Sequence, residues 1–216
     1  MAKKTALVLG ATGLIGGLLT DLLLEDPEYS QVTLLVRRKI NRAHPNLRQE
    51  VIDFDAPDAG KVRGDDVFCC LGTTNKVAGS REAFYKVDCT YPYEMARLAL
   101  ANGANQFLIV TAMGADAHSS IFYNRVKGEV EEKIAGLGYP TCCIFRPSLL
   151  LGERKEFRLG EKVGGALARV LGGLMAGGLR KYKPIQASKV AAAMLIIASH
   201  QLKGRHVFES DRLQAF

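Results

Sequence analysis

Tyr123 and Lys127 stand four residues apart, a spacing that sets two side chains on one face of a helix, and a phenol beside an ammonium can handle a proton. A free phenol titrates near pH 10, so exchange near neutrality needs about 4 kcal/mol of preferential phenolate stabilisation. The lysine charge supplies part of that, and a positively charged ligand nearby would supply more. Isolated Tyr-x-x-x-Lys spacings are common on solvated helices, so this pair gains meaning only from its position in the chain. Gly10, Gly13 and Gly16 form a second constellation, with Ala11, Thr12, Leu14 and Ile15 between them. Glycines at that interval permit a tight turn and close backbone approach, and a helix that opens there presents free N–H groups and partial positive charge to an anion. Thr12 adds a hydroxyl suited to a phosphate.

The elements that must position these groups follow from hydrophobic periodicity. Residues 5–10 form a short apolar run bounded by glycine, after which Leu14, Leu18, Leu22 and Ile15, Leu19, Leu23 recur every four residues, so a strand is followed by a helix. Further strands are predicted at 32–36, 51–54, 66–71, 106–111, 141–145 and 205–208, and helices at 82–101, 122–135 and 188–199. Pro92 fits a kink or a fresh start in the first of these helices. The glycine-interrupted stretch 161–178 has a partly helical pattern, and 163–178 reads as an interfacial amphipathic segment, a subunit contact or a mobile substrate flap, the flap being favoured because glycines cost helix stability. Near-continuous apolar strands alternating with helices imply a doubly wound α/β fold of the Rossmann type, a parallel sheet covered on both faces. The chain is expected to form one domain over 1–216, with 147–203 as a substrate-side lid.

Placed between the first strand and the first helix, the G-x-x-G-x-x-G turn is suited to a dinucleotide pyrophosphate. Sites that prefer NAD usually carry an acid after the second strand to bind the ribose 2′-hydroxyl. Here the strand ends in Arg37, Arg38 and Lys39, whose charges would pair with a 2′-phosphate, so NADP(H) is expected in preference to NAD(H). Asp53 can accept from an adenine amino group while Phe54 packs on the ring. Leu71, Gly72 and Thr73 leave little bulk at the end of the fourth strand and would wall the cofactor ribose.

At this point the chain resembles the short-chain dehydrogenase/reductase superfamily in its atypical or extended branch. Thr111-Ala112-Met113-Gly114-Ala115-Asp116, the Tyr123-to-Lys127 pair continuing into Gly128-Glu129-Val130-Glu131, Arg146-Pro147-Ser148-Leu149-Leu150-Leu151-Gly152 and Lys181-Tyr182-Lys183-Pro184-Ile185 look like the HIV Tat-interactive protein subfamily and its bacterial oxidoreductase relatives. The resemblance implies that Tyr123 is the general acid/base and that Lys127 tunes it and holds the nicotinamide ribose. It also implies that Thr111 polarises the substrate carbonyl, and that Pro147, Ser148 and Leu149 lie against the nicotinamide. Two positions depart from the pattern: Ala112 stands where relatives can carry a second serine, and Asp88 where many have an active-site asparagine. If Thr111 is turned away, its role passes to Ser119, Ser120 or water.

Composition narrows the partners. The chain has 216 residues, 48% hydrophobic and 24% charged, with 29 basic against 22 acidic side chains, a net charge of +7 that suits anionic ligands. Basic residues at 154–158 and 180–183 lack interleaved aromatics, so no nucleic-acid partner is expected. Lys3-Lys4 and the apolar stretch after it imitate a secretory signal, but the three glycines, Asp21 and the lack of a small-x-small site argue against one. No run of about 18 apolar residues is present, so no integral membrane segment is expected. The five cysteines include the adjacent pairs Cys69-Cys70 and Cys142-Cys143, which a strand would point to opposite faces; buried reduced thiols and a cytoplasmic location are expected, and the scattered histidines have no metal spacing. The expected activity is hydride transfer between the nicotinamide and a carbonyl/alcohol substrate. An NADP(H)-sensing regulatory module with little turnover is the alternative, and a homodimer or a regulatory protein partner stays open.

Overall fold

The computed structural model describes residues 3–152 and 182–216. The principal sheet contains β1 (Lys4–Leu9), β2 (Tyr29–Val36), β3 (Leu47–Val51), β4 (Asp66–Cys69), β5 (Gln106–Val110) and β6 (Thr141–Arg146). Two-residue strands β7 (Leu150–Leu151) and β8 (Ile185–Gln186) pair separately, and β9 (Gly204–Glu209) completes the seven-stranded parallel sheet in the order β3-β2-β1-β4-β5-β6-β9. The helices are α1 (Leu14–Glu25), α2 (Asn75–Ala78), α3 (Arg81–Tyr85), α4 (Tyr91–Ala101), α5 (Phe122–Ala135), α6 (Ala187–Ser199) and α7 (Ser210–Leu213). This is a doubly wound Rossmann-like fold.

Strand alternation builds the two core layers. Ala6, Val8, Leu34, Phe68, Leu108 and Phe145 face one side of the sheet, beneath Ile15, Leu19 and Leu23 of α1 and Val190, Met194 and Ile197 of α6. Leu7, Leu9, Val67, Phe107, Ile109 and Ile144 face the other, beneath Met95 and Ala99 of α4 and Val126, Val130 and Ile134 of α5. The adjacent cysteines divide as a pleated strand requires, Cys142 in the second layer and Cys143 in the first, and all five thiols are free.

Register brings the strand ends together. Leu9 pairs with Cys69, Cys69 with Ile109 and Ile109 with Ile144, so Gly10, Cys70, Val110 and Phe145 follow at one edge of the sheet. Chain order reverses between β1 and β4, and ligands of such sheets bind in the crevice at that point. At the opposite edge, Tyr29 Oη and Gln106 Nε2 donate to Asp66 at 2.7 and 2.9 Å, pinning β2, β4 and β5. Burial pushes that carboxyl above its usual range.

Two readings of the sequence differ from the structure. The third strand lies at Leu47–Val51, not at 51–54, because Arg48, Gln49 and Glu50 break the apolar alternation that an edge strand does not need. Ile52 and Phe54 are buried beyond its end. The helix expected over 82–101 is divided: α3 runs into a widened π turn at Lys86–Thr90, and α4 restarts with Pro92 in its first turn. Proline has no N–H to return to the carbonyl four residues earlier, that of Asp88, so the ladder opens there. The stretch 161–178 and the middle of the expected lid, 153–181, lie outside the described residues.

Candidate functional site

The glycine-rich turn is built to bring backbone close to a ligand. Gly10 has φ +80°, and a Cβ there would stand 2.5 Å from the carbonyl oxygen of Cys70. A Cβ on Gly16 would stand 2.2 Å from the Gly10 oxygen, so α1 lies directly on the turn that precedes it. Gly13 is the N-cap of α1 and makes no side-chain cap, leaving the first-turn N–H groups to an external acceptor. Thr12 is exposed, Leu14 half-buried and Ile15 buried. This cradle fits a dinucleotide pyrophosphate, since any side chain at Gly10 or Gly16 would collide with backbone.

Arg37 and Arg38 follow β2, exposed and without an ion pair among the described residues. Asp53 is exposed, its Oδ1 accepting from Asp55 N at 2.9 Å, and Phe54 packs on the Tyr91 ring at 5.4 Å. Beyond β4, Leu71 and Thr73 are half-buried and Gly72 is exposed.

Tyr123 and Lys127 occupy one face of α5. The Tyr123 ring is half-buried, 5.7 Å from that of Phe84, and no described group hydrogen-bonds its hydroxyl. Lys127 is buried, and its Nζ lies 2.7 Å from Asp88 Oδ1. Asp88 Oδ2 accepts from Thr73 N at 2.8 Å, so the wall beyond β4 and the α5 lysine share one carboxylate. Burial opposes the Lys127 charge, but Asp88 and Tyr123 outweigh it and hold the ammonium above its ordinary value. Only the position of Asp88 was noted from sequence, as a departure from relatives; its ion pair depends on the turn that Pro92 opens.

Thr111 is placed otherwise than expected. Its hydroxyl donates to Glu131 Oε1 at 2.6 Å, with a longer contact of 3.4 Å to the Phe145 oxygen. Polarising a carbonyl takes the one hydroxyl proton, and here that proton is committed to a carboxylate. Glu131 is itself buried and takes the Arg146 guanidinium through both oxygens, while Arg146 reaches Glu209 at 3.0 Å. Its partners Arg146 on β6 and Arg205 on β9 are distant in the chain, so spacing along α5 does not reveal them. Thr111→Val is therefore expected to cost about 2 kcal/mol, roughly 4–8 °C in Tm, with little specific effect on turnover. A variant of unchanged Tm with turnover reduced a hundredfold would return Thr111 to the chemistry.

Pro147, Ser148 and Leu149 are also divided. Ser148 is buried, donating to the Lys183 oxygen and accepting from Ser210 Oγ at 2.9 Å, whereas Leu149 is exposed. The Pro147 oxygen accepts from Met113 N at 3.0 Å. Just beyond, a Cβ on Gly152 would meet Leu14 Cδ1 at 2.9 Å, so this segment closes over the start of α1.

Comparison with known proteins agrees with this geometry. Residues 10–135 match the NAD(P)H-binding family. Protein HTATIP2 of Rattus norvegicus is 42% identical over 167 residues, covering 74% of this chain and 69% of the rat protein. Protein FMP52, mitochondrial, of Candida albicans is 33% identical over 210 residues, covering 91% of this chain and 89% of the fungal one. Among solved structures, MoeE5 in complex with UDP-glucose and NAD shares the fold with a TM-score of 0.71 at 16% identity, over 94% of this chain and 75% of that one. The cytoplasmic location inferred from reduced thiols is corrected by the FMP52 relatives, which are named mitochondrial; a free thiol reports a reducing environment and does not distinguish among compartments that provide one. No described helix is long and apolar enough to cross a membrane. The chain belongs to the NAD(P)H-binding family and, within it, to the group that includes HTATIP2 and FMP52.

Proposed function

We propose that the chain is an NADP(H)-dependent oxidoreductase that interconverts a carbonyl and an alcohol, with Tyr123 as the acid/base. The observation that carries this reading is the buried, charged Lys127 one helical turn from Tyr123, its Nζ 3.7 Å from where a Cβ on Gly72 would stand, just beyond the Cys70 whose carbonyl lies against Gly10. When bound, the cofactor supplies or accepts the reducing equivalent at its nicotinamide ring. Gly10, Thr12, Gly13, Leu14, Ile15 and Gly16 hold the pyrophosphate, and Arg37 and Arg38 the 2′-phosphate. Asp53 and Phe54 meet the adenine, and Leu71, Gly72 and Thr73 line the ribose. Pro147 and Leu149 border the nicotinamide, and Ser148 shapes that border through its bond to the Lys183 carbonyl. Lys127 holds the ribose hydroxyls and sets its charge on the same helix face as Tyr123, whose Oη gives its proton to the alkoxide during reduction and takes it back during oxidation. With Thr111 engaged, Ser119 is the nearest candidate in sequence for the carbonyl donor: its Oγ accepts from Ile121 N at 3.1 Å and keeps its own proton. The described residues act as one domain, with 147–152 and 182–203 on its substrate side.

The test is NADPH oxidation across a panel of carbonyl compounds, run beside NADPH and NADH affinities. Turnover with at least one class supports the enzyme. Tight NADPH binding with no turnover across the panel would favour a second reading, a cofactor-sensing module, which the engagement of Thr111 and the methyl of Ala112 support. Arg37→Ala/Arg38→Ala is expected to weaken NADPH about tenfold, about 1.4 kcal/mol, and NADH less than about twofold. Equal losses for both cofactors would remove the NADP(H) preference.

A further inference from the structure

Asp88 enters the crevice from the π turn, its side chain wholly buried, with one oxygen on the Thr73 N–H and the other on Lys127. Lys127 exposes only 6% of its side chain. A buried lysine without an anionic partner gives up its proton several pH units below its ordinary value, because burial penalises the charged form. The titratable groups facing Lys127 Nζ are Asp88 from the π turn, Tyr123 on the same helix and Cys69 from β4. Burial pushes the Cys69 thiol up to about 12, so it is neutral, and a phenol contributes negative charge only when ionised. Asp88, at 2.7 Å, is thus the carboxylate paired with the ammonium in this group. A Cβ at Gly72 would lie 3.5 Å from Asp88 Oδ1 and 3.7 Å from Lys127 Nζ, so carboxylate, ammonium and the backbone beyond β4 pack as one unit.

We propose that Asp88 is a positioning residue that keeps Lys127 in its ammonium form in a water-excluded place and fixes its Nζ against the wall made by Gly72 and Thr73. Its consequence for turnover rests on the oxidoreductase reading above; the charge state it maintains belongs to the chain alone. An asparagine there preserves an acceptor for the Thr73 N–H and nearly the same volume, and removes only the charge.

The deciding experiment is an NMR titration of the Lys127 side chain in the full chain carrying 13C,15N-lysine, with its signal assigned by loss in Lys127→Arg. The unsubstituted protein is expected to show no Lys127 midpoint below about pH 10, and Asp88→Asn to lower that midpoint by about two pH units or more, a hundredfold change in the acid constant. A midpoint that stays within about half a unit overturns the proposal. If Asp88→Asn does not fold, Asp88→Asn/Lys127→Met decides, because removing both charges leaves no unpaired ammonium and restores folding; a double variant as unstable as the single overturns the proposal. With a carbonyl substrate from the panel, kcat/KM of Asp88→Asn should fall as pH rises through the lowered Lys127 midpoint, while that of the unsubstituted protein should not. Absence of turnover in both proteins would defeat the oxidoreductase reading, and the NMR titration would still decide the role of Asp88.

Discussion

Tyr123→Phe is expected to lower kcat for carbonyl reduction by about 10²–10⁴, or about 2.7–5.5 kcal/mol of transition-state stabilisation, while NADPH affinity stays within about twofold. The ring remains to pack against Phe84, and no described hydrogen bond is lost, so the fold has no reason to change. What disappears is the proton held at Oη. Measured as kcat and KM separately, the loss should fall on kcat, since the hydroxyl acts when charge develops on the substrate oxygen. Unchanged turnover would remove Tyr123 from the mechanism and leave Lys127 with a binding role only.

Gly128→Ala is expected to cost more than the usual helix glycine replacement gains. Alanine favours a helix by about 1 kcal/mol, but here a Cβ would stand 2.0 Å from Ala117 N and 2.2 Å from the Asp116 carbonyl carbon. Both are backbone atoms and cannot swing aside, so α5 or the loop before it must retreat by about 1.5 Å to reach van der Waals separation. The stability loss should be about 3 kcal/mol or more, roughly 6–12 °C in Tm. Because Lys127 is the preceding residue and Tyr123 lies one turn earlier, turnover at a permissive temperature should fall about a hundredfold as well. Gly17→Ala is the control: its Cβ would meet the Ala11 oxygen at an ordinary 3.5 Å, and a gain or a neutral result is expected in the same melting experiment. If both variants melt alike, the close approach of α5 to its loop is not what holds the helix.

What was legible in the sequence was whatever depends on near neighbours. The interval of Gly10, Gly13 and Gly16 and the four-residue step from Tyr123 to Lys127 are local, and the strands and helices around them follow the apolar periods that bury them. The edge strand β3 was misplaced because only one of its sides pairs, so its sequence Leu-Arg-Gln-Glu-Val carries little pattern, while the apolar Ile52 and Phe54 beyond it do. Thr111 misled for a different reason. Its partner is Glu131, twenty residues away, and that carboxylate is brought in by Arg146 on another strand. The ion pair of Asp88 was hidden by the turn itself, since a regular helix through 82–101 would have directed the residue differently from a widened one. Side-chain claims between distant elements are settled by packing, and spacing does not report them.

The outermost strands of the sheet have one more consequence. β3 shows a 64% exposed Arg48 with Glu50 beside it, joined at 2.6 Å, and β9 opens with Gly204 and Arg205, both exposed. A second molecule attempting to extend the ladder at either rim would have to strip hydration from these ions as its backbone docked. That toll discourages fibre growth by strand addition, so concentrated preparations of the folded chain should resist cross-β aggregation.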